Sequence, residues 1–266
     1  MKKLASYGLI VIGLLANSCT NLSSSKTAGN LSSENAPRRI EVLFLGHQSE
    51  HHNANKYAPG MATALFSRGI NITYTTNPAD LNADNLKKYD GLVIYANHEE
   101  IKPEQDKALT EFVESGKGLI PIHSASFCFQ NSPTYIKMVG GQFKSHKTGT
   151  FTTEIVNPKH PALQGITPFE TWDETYVHAQ LQPDNEVLMV RDEEGRKEPY
   201  TWVRTQGKGR VFYTAYGHDE RTWNNPSFQK LVGNGILWAI GDKPNKLLAK
   251  YAPPTLTYTD GHNIPN

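Results

Sequence analysis

"GLVIYANHEEIKPEQDKALTEFVESGKGLIPIHS", Gly91 to Ser124, is the stretch on which the fold turns. It opens and closes on continuous apolar runs, Gly91–Asn97 and Gly118–Ser124, of the kind expected from strands buried on both faces. Between them Pro103 stands where a helix begins. Ala108, Leu109, Phe112 and Val113 line one helical face, and Gly116 supplies the stop. Strand, helix, strand at this spacing predicts two parallel strands joined by a right-handed crossover.

The same alternation continues toward the N-terminus. Ile40 to Leu45 reads as a buried strand, and Tyr57 to Arg68 has helical spacing at Met61, Leu65 and Phe66 before Gly69. Asn71 to Thr75 is strand-like, and a short helix is expected between Asp84 and Tyr89. Toward the C-terminus strands dominate: Phe151–Val156, Thr171–His178, Glu186–Val190, Tyr200–Arg204 and Arg210–Tyr216, with a turn at Gln206–Gly209 and a closing helix over Phe228–Ala239. Neither a repeat nor an internal linker interrupts this pattern. It predicts one α/β domain over residues 39–245 with a mostly parallel sheet, followed by a tail, 246–266.

The first residues read as a leader rather than as fold. Lys2 and Lys3 precede a short apolar run, Leu9 to Leu15, and Ala16, Asn17 and Ser18 precede Cys19. Small residues before a cysteine resemble the bacterial lipobox. That implies a signal over 1–19, lipidation of Cys19, a Ser/Thr/Asn/Gly-rich tether over 20–38, and anchoring at the cell envelope on the periplasmic face of the outer membrane. Membrane contact would then be through the lipid only. A near-neutral balance of 27 Lys plus Arg against 26 Asp plus Glu offers no basic stripe, so nucleic acid is not an expected partner. Self-association is compatible with the composition. With Cys19 lipidated, Cys128 has no partner and no internal disulfide is expected.

Chemistry concentrates in the histidines. "LFLGH" ends at His47, "IYANH" at His98, "IPIHS" carries His123, and "FYTAYGH" ends at His218. Each follows a predicted strand, and in open parallel sheets ligands bind beyond the carboxyl ends of the strands. His51, His52 and His146 add further imidazoles. Singly, each is explained as a hydrogen-bonding group at a strand end. Together they suit a divalent metal, zinc being suspected, with His52, His123, His146 and His218 as candidate ligands and an open position for water or a carbonyl. In "ETWDETYVH", Asp173 and Glu174 should point to opposite faces; Glu174 is expected inward as base or ligand, with Trp172 and Tyr176 on its face. Trp172, Tyr176, Trp202, Tyr216 and Trp223 are candidate sugar-stacking rings, and Asn97 a candidate polar contact. The corner "HSASFCF" lacks the glycines of a nucleophile elbow, which argues against Ser124, Ser126 or Cys128 as nucleophile.

Read together, "GKGLIPIHSA", "GGQFKSH", "WDETYVH" and the block from Pro199 to Asp242 resemble the trehalose-utilisation (ThuA-like) family, over nearly the whole span from Glu41 to Asp242. The resemblance implies a flavodoxin-like, class I glutamine amidotransferase-like three-layer sandwich. It does not carry glutamine hydrolysis, because the elbow cysteine is missing. It implies sugar chemistry, with His52, His123, His146, Glu174 and His218 as the positions that transfer. The expected activity is metal- or histidine-assisted elimination or hydrolysis on an oxidised, 3-keto sugar or glycoside, with Glu174, His123 and His218 as catalytic groups. No nucleotide cofactor is expected. Two other readings stand beside it: a non-catalytic sugar-binding lipoprotein, and a metal-dependent hydrolase of another small molecule.

Overall fold

A computed structural model describes residues 38–241. The leader with Cys19, nearly all of the tether and the tail over 246–266 lie outside the described residues. Five strands form the parallel part of the sheet: β1 (Ile40–Gly46), β2 (Ile70–Thr75), β3 (Gly91–Tyr95), β4 (Gly118–Pro121) and, much later in the chain, β12 (Gly209–Thr214). Their order is β2-β1-β3-β4-β12, every neighbour pair parallel. This is the doubly wound order of flavodoxin-like folds. Beyond β12 the sheet continues antiparallel through β11 (Arg196–Gln206), β10 (Glu186–Glu193) and β7 (Glu154–Ile155). Helices α1 (Ala54–Phe66) and α6 (Pro226–Ile240) pack together, as do α2 (Ala83–Leu86), α3 (Pro103–Glu114) and α4 (Pro133–Val139), and they cover the sheet as a three-layer sandwich.

The apolar runs read from the sequence are buried as expected. All of β3 is inaccessible, and Val42, Phe44 and Leu45 of β1 are at 0% exposure. Each fully buried aliphatic side chain contributes roughly 1.5–3 kcal/mol, which is why the central strands need no polar alternation. The helix at Pro103 starts where predicted, with Pro103 in the first turn and the Gln105 side chain accepting from the Lys102 amide at 3.0 Å. Helix α4 was not expected: seven residues are too few for a 3.6-residue period to show. Local chemistry defines it nonetheless. Ser132 caps its start by accepting from the Tyr135 amide, and Gly140 ends it at φ 95°. Among the described residues no helix is long and apolar enough to cross a membrane.

Two expected strands are each divided. Phe151–Val156 becomes β6 (Thr148–Thr152) and β7, separated by buried Thr153, whose hydroxyl accepts from the Tyr216 hydroxyl at 2.9 Å. Thr171–His178 becomes β8 (Glu170–Glu174) and β9 (Val177–Ala179). The two halves pair with different strands, β8 with β6 and β9 with β5 (Gln142–Ser145). These two antiparallel ribbons stand off the main sheet, and the break between β8 and β9 falls immediately after Glu174. No sequence period reports a change of pairing partner in mid-strand.

The hairpin joining β11 to β12 is the turn read at Gln206–Gly209, with Gly207 at φ 57°. Gly209 is needed for a second reason: a Cβ there would lie 2.0 Å from the Val113 carbonyl oxygen and 2.7 Å from that of Lys117. Backbone cannot retreat as a flexible side chain would. Gly209→Ala is therefore expected to lower stability by about 1–3 kcal/mol, as overpacking does, read as a fall in the urea midpoint with unchanged slope.

Candidate functional site

Because β1, β3, β4 and β12 run parallel, the segments that follow them emerge on one rim. His52 lies in the loop after β1. The Ser49 amide donates to the His52 carbonyl at 2.9 Å, and the His52 amide donates back to Ser49 Oγ at 3.1 Å. The next residue, Asn53, caps α1 by accepting from the Lys56 amide. The imidazole of His52 is thus held at the helix entrance, buried.

His123 follows β4 at the start of a short 3-10 turn, His123–Phe127, with φ 51°. This left-handed conformation is costly for most side chains, histidine being among the residues that adopt it more often. The strand-to-turn corner therefore exists without a glycine, and the residue it presents is the imidazole. Gly217, at φ 139°, makes room for it, since a Cβ there would come within 3.0 Å of His123 Cβ. His218 follows, half-buried, and Glu174 reaches the same point from the end of β8.

One ligand atom from each of His52, His123, Glu174 and His218 lies within 4.8 Å of all the others. His123 Nε2 is 3.1 Å from Glu174 Oε2, His218 Nδ1 is 3.1 Å from Oε1, and His52 Nε2 is 3.9 Å from Oε2. His146 Nε2 stands 3.6 Å from Oε1 on the open side, but His146 is not part of the four-atom group. Glu174, expected inward as base or ligand, joins three of the four expected histidines in the group because the β8 ribbon brings the carboxylate inward.

The protons decide what this cluster can do. His123 Nδ1 is 2.6 Å from the Ala215 carbonyl oxygen. A carbonyl only accepts, so Nδ1 carries hydrogen, and in the neutral ring Nε2 presents a lone pair to the Glu174 carboxylate. Two lone pairs do not face each other at 3.1 Å unless a cation, proton or metal, joins them. Both ring nitrogens of His52 are likewise buried without a hydrogen-bond partner among the described residues, and His218 Nδ1 faces the Glu174 carboxylate 3.1 Å away. Leaving such groups unpaired costs about 1–3 kcal/mol each. Three imidazoles and a carboxylate are a donor set for a divalent cation, and two of the separations match the ~3.3 Å edge of a tetrahedron with bonds of 2.0–2.1 Å. The His123 Nδ1–H bond to a carbonyl is the outer support that ligating histidines regularly have.

Electrostatics agree with that donor set. Burial pushes the Glu174 pKa up, but His123, His218 and His52 outweigh it and hold the carboxyl well below the usual carboxylate range. Burial lowers His52 to about 4, the opposing pull of Glu174 notwithstanding. For His218, burial works against the charged form and Glu174 reverses the balance, raising its pKa. His52 is therefore a neutral donor at pH 7.

A cavity of about 280 Å³ opens beside the cluster. Glu174, His52, His146 and His51 line its polar side with Asn97 and Ser124, and Phe127, Phe143 and Tyr176 form its aromatic wall. Tyr176 stacks on His123 at 4.2 Å between ring centres. Asn97 and Tyr176 thus face the space where a substrate contact was expected. The other candidate rings do not. Trp202 is fully buried, donating from Nε1 to the Val139 carbonyl and packed on Tyr213, so it presents no face to a ligand. Trp172 lies under the Arg221 guanidinium, 3.5 Å from its ring centre, and does not line the cavity; the strand breaks before its face reaches Tyr176. His47 and His98 stack on each other at 4.1 Å, His47 Nδ1 lying 2.8 Å from Asn97 Oδ1, and they stay out of the four-atom group. Phe127, Phe143 and Ser124 were missed as lining groups, because a ring or hydroxyl in a loop carries no period that reports its direction.

The sequence profile described as "Trehalose utilisation", ThuA, matches residues 41–239. The chain belongs to the ThuA family, which supports a role in carbohydrate metabolism. The fold is similar to that of a ThuA-like protein from Bacteroides uniformis, at 20% identity and TM-score 0.65, covering 77% of this chain and 92% of that one. A ThuA-like protein from Parabacteroides merdae is similar at 17% identity and TM-score 0.62, covering 76% and 90%. A β-galactosidase from Rahnella sp. R3 shares the fold at 15% identity and TM-score 0.55, over 79% of this chain but only 32% of the enzyme. No curated protein matches the chain.

Cys128 sits just past the corner, fully buried, its thiol donating to the Ala96 carbonyl at 2.8 Å. Burial pushes its pKa far up, so the thiolate is not formed near neutral pH. Iodoacetamide should leave the Cys128 peptide unmodified in the native protein and modify it fully in denaturant, read by peptide mass spectrometry.

Proposed function

We propose that this ThuA-family protein holds a divalent cation, zinc being the best match to the donors, on His52, His123, Glu174 and His218. With it the protein converts an oxidised, 3-keto sugar or glycoside by elimination followed by addition of water. The observation that carries the reading is the lone pair of His123 Nε2 aimed at a buried carboxylate, an arrangement that calls for a cation between them. The family supports sugar as the substrate class.

A bound dication would supply the positive charge that stabilises negative charge developing on the substrate carbonyl oxygen. The 3-keto group makes the neighbouring C2–H acidic. His146, half-exposed at the cavity and outside the four-atom group, is the base: Nε2 takes the C2 proton. The electron pair of that C–H bond forms the C1–C2 double bond as the C1–oxygen bond breaks, and the imidazolium returns its proton to the departing oxygen. Asn97 and Ser124 offer hydrogen bonds to ring hydroxyls, and Phe127, Phe143 and Tyr176 cover the apolar face of the ring and exclude water. Glu174 is assigned to the cation rather than to proton transfer, since three imidazoles hold it ionised. The lipobox-like stretch before Cys19 supports, on this reading, a lipid-anchored envelope protein.

Metal analysis of the purified protein should give close to one divalent ion per chain, and His123→Ala and His218→Ala should each lose it. Unchanged metal content in both variants would remove the site. His146→Ala should keep the metal and lower kcat on a 3-keto-glucoside by about 10²–10⁴, the usual range for loss of a general base. Tight sugar binding without turnover would favour the binding-protein reading, and metal-stimulated cleavage of esters or amides alone would favour a different hydrolase.

A further inference from the structure

The residue before Glu174 has no part in the reading above, yet its surroundings are unusual. Asp173 is at 0% exposure and forms no ion pair with a Lys or Arg among the described residues. Oδ1 accepts from the Glu174 amide at 2.7 Å and from the His218 amide at 3.1 Å. Oδ2 accepts from the Gly217 amide at 2.9 Å and from the Thr222 hydroxyl at 2.6 Å. Every partner is a donor. Burial favours the protonated acid, while three amide N–H groups and the Thr222 hydroxyl directed at its oxygens favour the carboxylate. Burying an ion without a countercharge costs several kcal/mol, and a hydrogen-bonding amide could have tied two loops together at less cost.

Two features explain the charge. Oδ1 alone bridges the amides of Glu174 and His218, two of the four clustered residues, which come from chain segments 44 positions apart. A dication on three neutral imidazoles and one carboxylate would also keep a net charge of +1, and Asp173 is the buried anion next to it. We infer that Asp173 is the positioning residue of the site: it clamps Glu174 and His218 into one rigid pair and neutralises the charge their cation leaves. This rests on the proposed cation site and adds to it a residue that would touch neither cation nor substrate.

Thr222 supplies the control. It shares the carboxylate but lies on α5 (Glu220–Trp223), and its hydroxyl also meets that of Thr171 at 2.9 Å. Thr222→Val removes one hydrogen bond to Asp173 while leaving the charge and both bridged amides. Asp173→Asn removes the charge and sets an amide NH2 against at least one backbone N–H. The experiment titrates Co²⁺ into chelator-stripped wild type, Asp173→Asn and Thr222→Val, following the visible d–d absorption, with urea unfolding of each stripped protein alongside. Asp173→Asn should weaken Co²⁺ binding by about 10–100-fold, the range for lost outer-shell partners, and alter the absorption envelope. Thr222→Val should bind Co²⁺ like wild type even where its unfolding midpoint falls as far. Wild-type affinity and spectrum in Asp173→Asn, or equal loss of Co²⁺ binding in both variants at matched stability, would overturn the inference while leaving the cation site intact. Absence of Co²⁺ binding by the wild type would overturn the cation site and this inference with it.

Discussion

A carboxylate held among imidazoles below the protein surface is the interaction on which the rest depends. Glu174 has nitrogens of His123 and His218 at 3.1 Å, that of His146 at 3.6 Å and that of His52 at 3.9 Å. Nothing else in the described structure gathers so much titratable chemistry in so small a space. An ion there is tolerated only if positive charge answers it. The Ala215 carbonyl, by fixing the hydrogen of His123 on Nδ1, removes the simplest neutral arrangement. What answers Glu174 must be a proton or a metal ion.

The scaffold brings the four groups together through strand direction. Three of them follow parallel strands, so a short loop or turn after each suffices to reach the same rim. The fourth comes from a ribbon outside the main sheet, and the chain must be broken after Glu174 to deliver it. Rigidity then comes from backbone contacts: the left-handed corner at His123, the close approach of Gly217, the Tyr200 hydroxyl donating to the Glu174 carbonyl at 2.5 Å, and the four donors around Asp173. Loops so tied are suited to preorganised chemistry rather than to wide closure.

Much of this was legible in the residues. Continuous apolar runs at Ile40, Gly91 and Gly118 marked the buried strands, because burial on both faces leaves no polar alternation to confuse the reading. His123 and His218 meet as strand order predicts, whereas His47 and His98, expected at the same rim, stay out of the group and His52 joins it from the loop after β1. Alternation left Asp173 and Glu174 open, and both are buried. The failures share a cause. Trp202 and Trp172 were read as stacking rings from their type, but whether a large ring lines a cavity or fills a core depends on what packs opposite. That Glu174 enters the four-atom group while His146 stands at its edge depends on the ribbon's offset from the sheet, a tertiary quantity.

From the residues alone came the α/β class, the parallel core, the family and the identity of the titratable groups, since periodicity, strand-end position and motif order are properties of the chain itself. Only the folded arrangement decided which nitrogen of His123 carries hydrogen, that the corner needs no glycine, and that Asp173 is buried among donors rather than solvated. Those are distances between atoms remote in sequence. They are settled by the joint packing of β4, β8 and β12, which no local pattern encodes.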